Sequence, residues 1–295
     1  MLLCKMSLLG LIFVVATSIA SSGTNAADFD PRPLLETAQD VENRLSARIG
    51  VAVVETETGR TWNYRGDERF PLNSTFKAFL CAALLDAGDK GEIDLAQSVT
   101  VHDSDLVAYS PVTEKRVGGD PFTLLELCEA TATISDNAAA NLVLKELGGP
   151  DSLTRFMRRI GDKTTRLDRF EPELNSAIPG DERDTTTPLA AASSLQKLLL
   201  GDELTAASRK QLTSWLVGNK VGTSTLRAGL PKEWIVADKT GAGDYGSRSN
   251  IAVIWPENRA PVVIAVYITQ TKASFEDRNR AIADIARALV KSLQH

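Results

Sequence analysis

Arg48-Ile49-Gly50-Val51-Ala52-Val53-Val54-Glu55 is rich in Val and Ile, and after the turn signal Thr58-Gly59 the short run Thr61-Trp62-Asn63-Tyr64 follows. Together they read as a strand pair. The same vocabulary returns only near the C-terminus, in Trp234 to Lys239, Arg248 to Trp255 and Val262 to Thr269. Strands therefore occupy both ends of the chain. Between roughly Ser74 and Val217 the pattern is helical or loop. Ala78 to Leu85 is apolar nearly all round and is expected to stop at Gly88 as a fully buried helix. Thr123-Leu124-Leu125-Glu126 has the form of a capping box, opening a helix that carries Cys128. Asn137 to Leu147 ends at Gly148-Gly149, and Pro150 opens a helix with Leu153, Phe156, Met157 and Ile160 on one face.

Amphipathic helices bracket the strands: Pro33 to Leu45 on one side, Ser274 to Leu293 on the other. The simplest architecture is α/β, a mostly antiparallel five-stranded sheet flanked by the terminal helices, with an all-helical domain inserted. The sheet domain takes residues 27–70 and 221–295. The helical domain takes 71–220 and includes a loop over 166–184. A cleft between the two parts is expected.

The chain has 295 residues, 43% of them hydrophobic, enough for a large core without a metal or a dense disulfide framework. The formal charge of −5 and the absence of a Lys/Arg-rich block argue against nucleic acid or anionic lipid as the main partner, and favour a small molecule. Lys5, the apolar stretch Leu8 to Ala20 and the small residues ending at Ala26-Ala27 have the order of a secretory signal, residues 1–26, with an apolar core shorter than a membrane span. Secretion follows, into the periplasm in a Gram-negative host, with no stable membrane association after cleavage. Cys81 and Cys128 then remain, either as a bonded pair or as two buried thiols. With only two histidines and widely spaced cysteines, neither a catalytic zinc site nor any other metal or cofactor is expected.

Three triplets carry chemistry. Ser74-Thr75-Phe76-Lys77 sets a hydroxyl and an amine one helical turn apart, with the Ser74 N–H at a helix N-terminus suited to a developing oxyanion. Ser135-Asp136-Asn137 separates two helical segments, and Lys239-Thr240-Gly241 ends a strand. Each alone has an ordinary structural reading, as a helix cap, a turn or a strand end. In this order they resemble the S-x-x-K, S-D-N, K-T-G set shared by class A β-lactamases and penicillin-binding proteins.

The resemblance to class A extends over Tyr109-Ser110-Pro111, the run Arg166 to Asn175, Asp181 to Thr186, and Gly246-Ser247-Arg248. The wording around Ser74, Val107 to Val112 and Asp184 to Pro188 is most similar to the carbenicillin-hydrolysing group, although many of that group carry arginine where Lys239 stands. The resemblance implies a β-lactamase/transpeptidase-like fold, usually monomeric, acting on β-lactams. It implies Ser74 as nucleophile, the N–H groups of Ser74 and Ala242 as oxyanion hole, and Lys77 or Glu171 as acylation base. Ser135 would relay a proton to the leaving nitrogen, with Lys239 helping to hold it. Lys239, Thr240 and Arg248 would take the substrate carboxylate, with Gly241 and Tyr109 in the substrate site. Asn137 and the Ala242 carbonyl would take the side-chain amide. It further implies a Cys81–Cys128 disulfide, an Arg169–Asp184 salt bridge and a cis Glu171–Pro172 bond.

Penicillin-binding peptidases share the first three motifs and stay acylated. Turnover needs a carboxylate and an amide to aim a water at the ester, and Glu171 and Asn175 fit that need. A penicillin-binding peptidase and a non-catalytic β-lactam sensor remain the alternatives. Asn73 and Gly243 stand where serine carbapenemases of this class carry an additional cysteine pair, so penicillins are expected to be better substrates than carbapenems. The charged loop, closed by Arg169 and Asp184, likewise favours them over bulky oxyimino cephalosporins.

Overall fold

The computed structural model describes residues 29–294. The expected signal segment, 1–26, lies outside them. The first helix, α1 (Arg32–Leu45), leads into β1 (Arg48–Glu55) and β2 (Thr61–Tyr64), and the chain returns to the sheet only in β3 (Ile235–Ala242), β4 (Arg248–Trp255) and β5 (Val262–Thr269). The spatial order is β2-β1-β5-β4-β3, and every neighbouring pair is antiparallel. β1 therefore sits against the last strand of the chain, which closes the two ends on each other.

The central strands are continuous apolar runs because both faces are covered. Ile49, Val51 and Val53 of β1, with Val262, Ile264, Val266 and Ile268 of β5, pack under α1 and the last helix, α9 (Phe275–Leu293). The alternate residues, Val263, Ala265 and Tyr267, join the core of the helical part instead. That core is centred on α2 (Phe76–Asp89), whose residues from Phe76 to Ala87 are all buried. Around it run α3 (Leu124–Glu129), α4 (Asn137–Glu146), α5 (Pro150–Arg159), α6 (Pro188–Leu200) and α7 (Ala206–Val217), before the short α8 (Leu226–Gly229).

The local signals hold where they rest on capping. Thr123 Oγ1 accepts from the Glu126 N–H at 3.1 Å while the Glu126 carboxylate accepts from the Thr123 N–H at 2.8 Å. Gly88 is different: α2 runs through it to Asp89. A Cβ there would lie 2.5 Å from the Leu95 side chain, so this glycine serves a close approach and not a helix stop. Two short strand pairs also reach into the stretch expected to be helix or loop: Ser98–Val99 with Phe122–Thr123 lies within it, and Thr185–Thr186 pairs with Phe70–Pro71 just before it. Strands of two residues show no alternation to read. The second matters to the site, because it fastens the end of the 166–184 loop beside the chain entering α2.

The disulfide implied by the resemblance is not formed. Cys81 and Cys128 are free, buried thiols. Cys81 Sγ lies 3.5 Å from the Cys128 carbonyl oxygen and donates to it, which satisfies the thiol without a bond to sulfur. Burial pushes the Cys128 thiol well up, with the Cys81 side chain adding to the shift.

Candidate active site

The nucleophile candidate sits where the chain tightens before α2. Asn73–Thr75 form a 3₁₀ turn, and Asn73 is held at φ 44°. Ser135 follows a π-helical turn over Ala130–Ile134 and is itself left-handed at φ 69°. Tyr109, at φ 66°, makes a third residue of this kind beside the same cleft. Non-glycine residues in this region cost of order 1–3 kcal/mol each, and such strain gathers at functional sites.

Asp136 explains how the Ser135 turn is kept. Its buried carboxylate accepts from the Val112 N–H at 2.9 Å, the Thr113 N–H at 3.0 Å and the Ala139 N–H at 2.8 Å, so it caps α4 and pins the Tyr109 loop together. The Tyr109 carbonyl in turn accepts from the Asn137 N–H at 3.0 Å. An open cavity of about 400 Å³ results, lined by Ser74, Tyr109, Ser135, Asn137, Asn175, Thr240, Gly241, Ala242 and Arg248 among others. A larger cleft of about 900 Å³, near Arg44, Tyr245 and Lys272, brings together none of the expected site residues.

Behind the cavity wall stand three fully or almost fully buried charged side chains, Lys77, Lys239 and Glu171. Lys77 Nζ donates to the Ser135 carbonyl at 2.8 Å and to Asn137 Oδ1 at 2.5 Å, and lies 3.2 Å from Glu171 Oε1. Burial draws the Lys77 amine below the ordinary lysine range, with the Glu171 charge opposing it. Lys239 Nζ donates to Ser135 Oγ at 3.1 Å and to the Thr240 carbonyl at 3.1 Å. Burial, and then the like charge of Lys77, push Lys239 down to about 7. Lys77 is 3.4 Å from the same Ser135 oxygen, so that hydroxyl receives hydrogen bonds from two amines. Its own proton is left to point into the cavity.

Ser74 Oγ is not bonded to Lys77 here. Its partner is Glu171 Oε1, at 3.5 Å. Glu171 is fixed from two directions. Asn141, one turn after Asn137 on α4, donates from Nδ2 to the Glu171 carbonyl at 2.8 Å and accepts from the Glu171 N–H at 2.9 Å. Asn175 Nδ2 donates to Glu171 Oε2, while Asn175 Oδ1 is buried with no partner among the described residues. The Glu171–Pro172 bond is cis. Asp184 closes the loop: Oδ2 accepts from Arg169 Nε at 2.6 Å, and Oδ1 accepts from the N–H groups of Asp168 and Arg169 at 2.7 and 3.0 Å.

β3 runs along the opposite side. A Cβ on Gly241 would lie 2.6 Å from Ser249 Oγ and 2.9 Å from Asn73 Cβ, so glycine lets the strand pass close beside the Ser74 amide. A Cβ on Gly243 would lie 2.3 Å from Asn73 Oδ1, which places those two residues against each other just past the end of β3. Arg248, on β4, is buried and turned to the cavity. Its Nε donates to Asn279 Oδ1 at 2.7 Å and its Nη1 to the Gly241 carbonyl at 2.9 Å. Burial, then the Arg278 charge, draw it down to about 10.

All the residues expected from the motifs are thus gathered at one cleft. Asp136, Asn141 and Asn279 hold them there, and the sequence reading missed two of these. Asn141 shares a helical face with Asn137 at a spacing of four, and Asn279 follows the N-cap Ser274 by five residues. Neither spacing identifies a partner without the fold.

A family model described as the β-lactamase enzyme family matches residues 33–293. The structure of an ancestral class A β-lactamase superposes with a TM-score of 0.86 at 56% identity, covering 88% of this chain and 99% of that one. The chain belongs to the class A β-lactamases. Beta-lactamase AER-1 of Aeromonas hydrophila is 51% identical over 279 residues, 95% of this chain and 91% of that protein. Beta-lactamase PSE-4 of Pseudomonas aeruginosa is 50% identical over 249 residues, 84% of this chain and 86% of that protein. This β-lactamase therefore hydrolyses the β-lactam amide, a reaction of antibiotic resistance. The penicillin-binding peptidase and the sensor domain are set aside by the same matches.

Proposed function

We propose that this β-lactamase is an exported, monomeric penicillinase, active on carbenicillin-type substrates, in which Ser74 is acylated and Glu171 drives both steps of turnover. The observation that carries the reading is the buried Glu171 carboxylate, fixed by Asn141 and Asn175 and 3.5 Å from the Ser74 hydroxyl.

That separation is long for a direct O–H···O bond, and a water touching both oxygens fits it. In acylation Ser74 Oγ attacks the lactam carbonyl carbon and its proton passes through that water to Glu171. Lys77, hydrogen-bonded away from Ser74, serves as the charge that holds Glu171 and feeds Ser135. The carbonyl oxygen becomes an oxyanion between the N–H groups of Ser74 and Ala242, each donor being worth about 10²–10³ in rate. The C–N bond then breaks as Ser135 Oγ gives its proton to the lactam nitrogen and regains one from Lys77, which takes back the Ser74 proton from Glu171 across 3.2 Å and so leaves Glu171 ionised for the second step. In deacylation a water, held by Asn175 Oδ1 and Glu171, gives its proton to Glu171 and attacks the ester carbon. The C–O bond breaks and Ser74 Oγ recovers the proton that Glu171 took from the water. A buried acceptor such as Asn175 Oδ1 is ordinarily paired, and a water is the partner this chemistry supplies.

The substrate carboxylate lies against Lys239, Thr240 and Arg248. Asn137 keeps one amide hydrogen free after donating to the Ala108 carbonyl at 2.8 Å, and it meets the side-chain carbonyl of the antibiotic while the Ala242 carbonyl meets its N–H. Export rests on the residue order of 1–26, and N-terminal sequencing of the mature protein tests it. Peptide mass mapping after rapid quench with a penicillin is expected to find the adduct on Ser74, and an adduct elsewhere contradicts the reading. The closed loop predicts a kcat/KM for ampicillin far above that for ceftazidime, and comparable values contradict it.

A further inference from the structure

The first turn of α9 presents one face to Arg248. Phe275, Arg278 and Asn279, at i, i+3 and i+4, lie on that face. Asn279 takes the Arg248 Nε hydrogen. The Phe275 ring lies under the guanidinium, with the Arg248 carbon 4.8 Å from the ring centroid. The Arg278 guanidinium carbon is 5.4 Å from the same centroid, and Arg278 Nη1 donates to the Ser247 carbonyl at 3.2 Å. One aromatic ring therefore serves two cations beside the substrate cavity.

Phe275 is not a core residue. It is 51% exposed and lines the cavity that also holds Ser74, Thr240, Gly241, Ala242 and Arg248. Its position is fixed because Ser274 caps the helix, accepting from the Asp277 N–H at 3.0 Å. A half-exposed phenylalanine returns little burial energy, whereas a guanidinium stacks well on an aromatic face. Arg248 has its Nε and Nη1 engaged by Asn279 and Gly241, and Nη2 has no partner among the described residues. The orientation of that remaining donor depends on the plane of the guanidinium, which the two hydrogen bonds define and the ring face supports from below.

We propose that Phe275 is a positioning and specificity-determining residue: its ring holds the Arg248 guanidinium in the plane that receives the substrate carboxylate, and its exposed edge walls the apolar side of the ring bearing that carboxylate. The inference rests on the assignment of Arg248 to the carboxylate.

The test is steady-state kinetics with a penicillin on wild type, Phe275→Ala, Phe275→Leu, Phe275→Tyr, Arg248→Ala and the Phe275→Ala/Arg248→Ala double variant, with melting temperatures to show that each is folded. Loss of a cation–π contact predicts KM raised about two- to thirtyfold in the Ala and Leu variants, with kcat changed by less than about twofold. Phe275→Tyr, which keeps the π face, is expected to retain the wild-type KM. The double variant is expected to be no worse than Arg248→Ala alone, since both changes remove one interaction. Phe275→Leu indistinguishable from wild type, or a Phe275→Ala penalty that persists in full on the Arg248→Ala background, overturns the proposal. An unchanged KM in Arg248→Ala removes the carboxylate assignment itself, and that result is distinct from the other two.

Discussion

Lys239 makes the cost of this active site measurable. Its amine is buried and donates to Ser135 Oγ and the Thr240 carbonyl, each at 3.1 Å, with the Lys77 cation nearby. In the unfolded chain the amine holds its proton up to about 10.5, whereas in the fold burial pushes it down to about 7. Between those values the unfolded chain binds a proton that the folded protein does not, so stability rises with pH across that window and the penalty is fully present below it. The difference corresponds to about 5 kcal/mol. Lys239→Met keeps the shape and removes the charge, at the loss of two hydrogen bonds worth about 1 kcal/mol each. Near pH 6 the variant is therefore expected to be more stable than wild type by about 3 kcal/mol, and near pH 10 slightly less stable, a change in the gap of about 4 kcal/mol. Urea unfolding of both proteins at the two pH values reads it directly. A gap that stays constant within about 1 kcal/mol means that Lys239 titrates normally in the fold, and refutes the reasoning.

Asp184→Asn removes the carboxylate that closes the Glu171 loop. Arg169 is partly exposed and keeps Asp181 at 4.0 Å, so the low end of the cost of breaking a buried pair applies, about 3 kcal/mol, or a fall in Tm of about 6–12 °C. A thermal melt unchanged from wild type contradicts the role given to that pair. Asn141→Ala frees both backbone groups of Glu171, and a displacement of the base on the order of 1 Å costs about 10²-fold in kcat. A kcat within about twofold of wild type, measured with a penicillin, shows that Asn141 does not position the base.

What could be read in the sequence follows from how local each signal is. β1, β4 and β5 have the bounds read from the sequence, because both faces of those strands are buried and each carries a near-continuous Val/Ile-rich stretch. The Thr123 cap is a contact between neighbours in sequence and is equally plain. Ser74, Lys77, Ser135, Lys239 and Glu171 could be found through their motifs, yet no motif shows that Ser135 Oγ lies between two amines. The clamp of Asn141 on Glu171 and the hold of Asn279 on Arg248 join residues 30 and 31 apart, and only the packing of α4 against the loop and of α9 against β4 creates them. Gly88 misled for a related reason: its use is set by Leu95, which reaches it only after the chain turns. The cysteines were paired by resemblance, while their free, buried state depends on how α2 meets α3.

The central claim is that Glu171 releases the acyl-enzyme, and the intact mass of Glu171→Gln after mixing with a penicillin tests it most directly. Glutamine keeps the size of the side chain and the contacts of its backbone with Asn141 but cannot take a proton from the hydrolytic water. Loss of a positioned general base is worth about 10²–10⁴ in rate. Acylation, which also uses Glu171, is slowed, yet with time the variant is expected to gain the mass of one penicillin on Ser74 and keep it, while wild type returns to its starting mass as the drug is consumed. Prompt return of unmodified Glu171→Gln protein, with penicillin hydrolysed at the wild-type rate, contradicts the account.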